Sequence, residues 1–270
     1  MANVVIDSNC IVRRDWRLTS APWRVLAYRS RFGQILLFVP ELVVREAVGR
    51  YRAELVSAIE KARIVDKDLS RLGVRAAIPA INLDAAVADY EQVLRAAIDD
   101  ANGRVEQPPN VTVLDIADRA IGRKRPFDPK GGGFRDAVLW EHVLDTLVKP
   151  FDQTVLVTSD NAFKEPNGDL AEELRDDVEA RGSDREAVRI AATVADYLRA
   201  TGTEDLEAME RVAAVVESEH EQIAENIRWL LRAADAEPSG TYRWWGDHRG
   251  RTPHICPGRR WEGYRSRKCG

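Results

Sequence analysis

Three cysteines and four histidines in 270 residues leave little material for disulfide or zinc chemistry. Cys10, Cys256 and Cys269 are too few and too scattered for a disulfide framework, which fits a reducing compartment. No Cys-x-x-Cys pair occurs, and His248, His254, Cys256 and Cys269 follow none of the regular zinc-ligand spacings. No apolar run approaches the roughly 20 residues that span a bilayer. No charged leader with an apolar core precedes the first strand either, so the chain reads as cytoplasmic, without membrane or secretion. Excess charge of one sign is also lacking. With 40 basic against 44 acidic residues, the net charge of −4 gives no bulk attraction to nucleic acid, and any polyanion site must be local. The run Gly131-Gly132-Gly133 lacks the Gly-Lys-Ser/Thr ending of a nucleotide P-loop.

What is present is ordinary for a globular protein, with 44% hydrophobic and 31% charged residues. Short apolar runs mark buried strands at Val4-Val5-Ile6, at Ile35 to Val39, at Val111 to Leu114, at Thr154 to Thr158 and at Ala187 to Ile190. Between them lie helical stretches: Trp23 to Arg31, Glu41 to about Ala62 after Pro40, a helical block through Asn110, Asp115 to Gly122, Phe134 to Val148, and Leu170 to Ala180. Strand alternating with helix predicts an α/β fold with a central parallel sheet, a helical insertion at about 51–110 and C-terminal helices. Helices are expected at Val194 to Arg199 and Asp205 to Arg232, the latter in an extension over 201–240.

Four acids stand out against this background. Asp7 closes the first strand and Asp160 follows the fourth, which places both at the carboxyl edge of one sheet. Glu46 shares a helix face with Leu42, Val43, Gly49 and Ala53, and Asp136 precedes Trp140, Val143 and Leu147 at helical spacing. Glu46 and Asp136 should therefore face inward, and a buried ionised carboxylate costs several kcal/mol unless a cation or donor compensates it. Hard oxygen donors without His or Cys favour Mg2+ or Mn2+ over zinc. Each acid alone also has a plainer reading: a helix cap for Asp136, an ion pair with Arg45 or Arg50 for Glu46, and turn formation for Asp7 and Asp160.

The words around these acids, Val5-Ile6-Asp7-Ser8-Asn9, Val44-Arg45-Glu46-Ala47, Phe134-Arg135-Asp136-Ala137 and Thr158-Ser159-Asp160-Asn161, resemble the ordered acidic motifs of PIN-domain nucleases. The resemblance covers about residues 1–200 and implies a three-layer PIN-like fold. It further implies a Mg2+- or Mn2+-dependent hydrolase of phosphodiester bonds, usually in RNA. By the same resemblance, Asp7, Glu46, Asp136 and Asp160 are the catalytic, metal-binding acids. Asn9 and Ser159 match flanking polar positions, with Asn161 adjacent. Glu141 points to a different helix face from Asp136 and is left out.

A bound ion would activate water without a histidine base, consistent with His142, His220, His248 and His254 all lying outside the motifs. Lys124, Arg125, Lys130 and Arg135 cluster around the third acid as candidate contacts for substrate phosphate, and the glycine run is either a phosphate cradle or a plain flexible loop.

The last thirty residues, 241–270, set Trp244, Trp245, Trp261, Tyr242 and Tyr264 among eight basic and two acidic residues. Such a tail either grips RNA by stacking and phosphate contacts or folds back on the domain. RNA is the implied partner. A homodimer, an antitoxin partner for a toxin-type ribonuclease, and an inactive PIN-like scaffold binding RNA or protein are further readings without a specific feature in the sequence. Haloacid-type phosphatases require a second Asp where Asn9 stands, and a receiver domain requires an earlier acidic pair.

Overall fold

Buried aliphatic strands need neighbours on both sides and cover on both faces, and the chain supplies them in alternation. The structure, a computed structural model, describes residues 1–12, 15–74, 81–149, 151 and 153–202. Five strands, β1 (Ala2–Ile6), β2 (Ile35–Pro40), β3 (Arg104–Glu106), β4 (Thr154–Val157) and β5 (Val188–Ala191), form one sheet in the order β3-β2-β1-β4-β5. Every pairing is parallel. The helices are α1 (Ala21–Arg31), α2 (Glu41–Arg71), α3 (Leu83–Asp100), α4 (Val113–Ile121), α5 (Phe134–Thr146), α6 (Glu172–Ala180) and α7 (Val194–Ala200). They cover both faces of the sheet, giving a three-layer α/β fold. No described helix is long and apolar enough to cross a membrane.

The chain first adds strands on one side of β1, reaching β3 at that edge, and then returns to place β4 on the other side. The order reverses between β1 and β4, and this is where a doubly wound sheet opens a crevice at its carboxyl edge. Residues Val4, Val5, Ile6, Leu156 and Val157 are fully buried, so the two central strands lie in the core. Asn3, also fully buried, donates from Nδ2 to the carbonyls of Thr146 and Phe151 at 3.1 and 3.0 Å, tying the end of α5 to β1.

Two sequence expectations need correction. Val111 to Leu114 is not a strand. Thr112 Oγ1 accepts from the Asp115 amide at 3.1 Å and Asp115 Oδ2 accepts from the Thr112 amide at 2.9 Å, a capping box that starts α4 and leaves Val113 and Leu114 exposed. The strand at that edge is instead Arg104–Glu106, inside the block expected to be helical through Asn110. It follows Asn102 at φ 54°, and Gly103 sits so close to Ile98 that an added Cβ would lie 3.0 Å from its carbonyl oxygen.

The helical insertion is a hairpin of α2 and α3. Pro40 ends β2 and α2 begins at the next residue, so its first turns rise directly from the carboxyl edge of the sheet. Glu41 in that first turn is buried and receives both Arg95 Nη atoms from α3 at 2.9 Å and Arg45 Nε at 3.0 Å. Arg95 beside Glu41 holds its carboxyl below the usual carboxylate range. Trp16, Tyr51 and Tyr90 close the junction, with the two tyrosine rings stacked at 4.0 Å and Trp16 edge-on to both. The expected extension at 201–240 and the tail at 241–270 lie outside the described residues apart from 201–202, so the helix expected at 205–232 and the tail's contacts have no counterpart in this description.

Cutting the fork that joins α2 to α3 strands a buried carboxylate, and Arg95→Met is expected to cost about 1 to 3 kcal/mol, less than a fully buried pair because Arg95 is partly exposed. Urea unfolding of the variant, with Glu41→Gln/Arg95→Met recovering part of the loss, checks this.

Candidate active site

Four chain segments bring their acids to the crevice between β1 and β4. Asp7 follows β1, Glu46 stands in the second turn of α2, Asp136 lies in the first turn of α5, and Asp160 caps the short 3₁₀ turn Asn161–Phe163 after β4. They are near enough for their charges to act on one another. Burial raises the Asp7 carboxyl above its usual value, hydrogen bonds from Thr158 and Ser8 pull it back, and Glu46 and Asp160 push it up again. Burial likewise raises Asp136 to about 6, with Asp160, Asp7 and Glu46 adding to the effect and Arg135 opposing it.

The hydroxyl of Thr158 organises the crevice. It donates to Asp7 Oδ2 at 2.6 Å and accepts from Asn9 Nδ2 and the Asp160 amide, both at 3.0 Å. Asn9 Nδ2 also reaches Asp7 Oδ2 at 2.6 Å, and its Oδ1 accepts from the Ser159 amide at 3.2 Å. One threonine and one asparagine thus hold the ends of β1 and β4 in register with their acids. Thr158 is the residue that motif matching passes over: Ser159, named instead, joins this network through its backbone amide. A hydroxyl residue directly after the fully buried strand TVLV was the available signal.

Asp7 and Glu46 are well supplied with donors, whereas Asp136 is not. Asp7 Oδ1 takes the Ser8 amide, and Glu46 Oε2 takes Ser8 Oγ at 3.0 Å. Asp160 Oδ1 takes the Ala162 amide at 2.8 Å. No donor among the described residues reaches the Asp136 carboxylate. Arg135 is committed to Glu46 Oε1, with Arg50 Nη2 at 3.8 Å from the same oxygen, while Arg45 pairs with Glu41.

Among the described residues no group of three or more His, Cys, Asp or Glu side chains converges closely enough to hold an ion as placed. The charge interactions and the lack of convergence are compatible: like charges share the crevice, but Asp7 faces Thr158 and Glu46 faces Arg135. An all-oxygen set with a donor-poor, half-buried Asp136 fits a hard divalent cation chemically. Glu141 stays apart, paired with Arg181 at 2.8 Å.

The basic loop 123–133 is tied to the rest of the chain. Arg125 Nη1 donates to the carbonyls of Asn161, Ala162 and Lys164 at 3.2, 3.3 and 2.8 Å, which pins the loop to the segment after β4. Arg135 is paired with Glu46. The glycine run is neither limp nor an open cradle. Asp128 Oδ1 accepts the Lys130 and Gly132 amides, each at 2.8 Å, and fills the concavity itself. Gly133, at φ 118°, is required there, because a Cβ would lie 2.7 Å from the Pro126 oxygen. Lys124 and Lys130 are exposed, and Asn161 lines the same cleft as Asp136 and Asp160, a cleft of about 560 Å3.

The sequence of residues 4–163 matches the PIN domain family. No curated protein and no solved structure matches the chain.

Two outcomes follow from this geometry. A raised carboxyl binds its proton more tightly in the folded chain, so Asp136 costs stability as pH rises from its ordinary 3.8 through about 6, and the cost persists above that. In chelator, Asp136→Asn is expected to be more stable than the parent by roughly 1 to 2 kcal/mol at pH 7.5, after allowance for solvent screening, with the difference vanishing near pH 4. Paired melts across pH read this directly. Thr158→Val leaves Asp7 Oδ2 and the Asp160 amide short of a partner and is expected to lose about 2 to 3 kcal/mol, whereas Thr158→Ser keeps most of it.

Proposed function

Because the chain belongs to the PIN domain family, we propose that it is a Mg2+- or Mn2+-dependent endoribonuclease that hydrolyses phosphodiester bonds at the β1/β4 crevice. The observation that carries this reading is the gathering of four acids from four segments, among them Asp136, a carboxylate with a raised pKa and no donor among the described residues. Asp7, Glu46, Asp136 and Asp160 would hold the cation. When bound, it supplies an acidified water and neutralises charge on the phosphate and the leaving oxygen.

The chain's own residues do the rest. Asn9 and Thr158 fix the Asp7 carboxylate so that it does not reorganise during reaction. Arg135 neutralises Glu46 in the absence of substrate. The exposed Lys124 and Lys130 lie on the loop that leads into α5, where positive charge draws a polyanion toward an otherwise acidic crevice. The wall formed by Arg125 and the 161–164 backbone is fixed before substrate arrives.

Incubation of the purified full chain with total RNA or single-stranded DNA, with manganese or with chelator, followed by mapping of new ends, tests the proposal. Cleavage of RNA that requires the metal and falls by about a hundredfold or more in Asp7→Asn and Asp136→Asn, both still folded, is the expected result. Equal cleavage in chelator, or by both variants, overturns it.

A further inference from the structure

The cleft beside Asp136 and Asp160 carries a further carboxylate that the hydrolytic chemistry does not use. Glu173, in the first turn of α6, lines it together with Asp128 and Arg123. An extra carboxylate repels phosphate, so in a cleft that takes nucleic acid it needs another purpose. Besides holding the Arg125 amide, such a carboxylate can accept hydrogen bonds from a base edge, a role in which negative charge helps.

Glu173 has one oxygen to spare for that role. Its Oε2 accepts the Arg125 amide at 2.9 Å, which anchors the group and leaves Oε1 for a ligand. The wall behind it is fixed twice more, by Arg125 Nη1 on the 161–164 carbonyls and by Arg119 Nε on the Arg125 carbonyl at 2.7 Å. Arg123 lines the same cleft, held at φ 50° in the left-handed region that an arginine rarely adopts, and forms no ion pair among the described residues. The volume of about 560 Å3 accommodates a nucleotide with its sugar and phosphate.

Carboxylates discriminate among bases by their donors. Guanine alone offers two adjacent donors, N1–H and N2–H, on its Watson–Crick edge. Adenine and cytosine each offer one amino group beside a bare ring nitrogen that repels a carboxylate, and uracil offers one N–H between two carbonyls.

Resting on the nucleic-acid reading above, we propose that this cleft seats a guanine nucleotide next to the scissile phosphate, Glu173 accepting from the base and Arg123 meeting its sugar-phosphate. Guanine is thereby favoured at one position beside the cut.

Titration of the full chain in chelator with 5′-GMP, AMP, CMP and UMP, followed by NMR, tests this without any cleavage. GMP is expected to bind at least about tenfold more tightly than the other three. Glu173→Gln keeps an acceptor for the Arg125 amide but turns an NH2 toward the base, so it is expected to remove the preference with an unchanged melting temperature; Glu172→Gln, one residue away, keeps it. Four affinities within about threefold of each other, no binding of any nucleotide, or a preference that survives Glu173→Gln overturns the proposal. A chain that selects GMP but cuts no RNA sinks only the catalytic reading, and one that cuts RNA without selecting GMP sinks only this one.

Discussion

Negative charge brought to one crevice of the sheet is the constraint around which the rest of the site is arranged. Two unit charges about 4 Å apart repel by about 4 kcal/mol at the dielectric of a protein surface. A single hydrogen bond to a charged group returns only about 1.5 to 3 kcal/mol. No one contact offsets the crowding, and a network is needed. Thr158, Asn9 and the Ser8 amide supply it for Asp7, and Ser8 Oγ and Arg135 supply it for Glu46. Asp136 receives nothing comparable among the described residues, and burial together with Asp160, Asp7 and Glu46 raises its proton affinity. The stiffness of β1 and β4 prevents the acids from drifting apart, because both strands are locked by pairing on both sides.

Positive charge around the crevice divides into two kinds of work. Arg119, Arg125 and Arg135 are spent within the protein, on Asp177, on carbonyls and on Glu46. Their planar, multidentate heads suit them to joining segments distant in sequence. Lys124 and Lys130 remain at the surface. Counting basic residues near an acid therefore overstates how many are available to a substrate.

Much of the architecture could be read from the chain because buried parallel strands are written as continuous aliphatic runs. Val4 to Ile6 and Thr154 to Val157 stand out for that reason, and Asp7 and Asp160 are marked by following them. The third strand escaped notice because it has three residues, half of its cover is solvent, and its charged ends give no apolar run. Val113 and Leu114 misled in the opposite sense, since an apolar pair can end on the surface once a capping box commits it to a helix. Thr158, Arg125 and Arg135 were legible as residues but not as roles. Their partners lie 151, 39 and 89 positions away, and no local spacing encodes such a meeting.

The Asp128 carboxylate, lodged against the Lys130 and Gly132 amides, has a consequence for how the loop meets any ligand. A polypeptide hollow that already contains its own anion gains nothing by closing on another, so its shape is settled during folding. The entropic cost of ordering that segment is met before encounter, and a docking molecule finds a finished wall whose chemistry is that of side chains rather than of main-chain N–H groups.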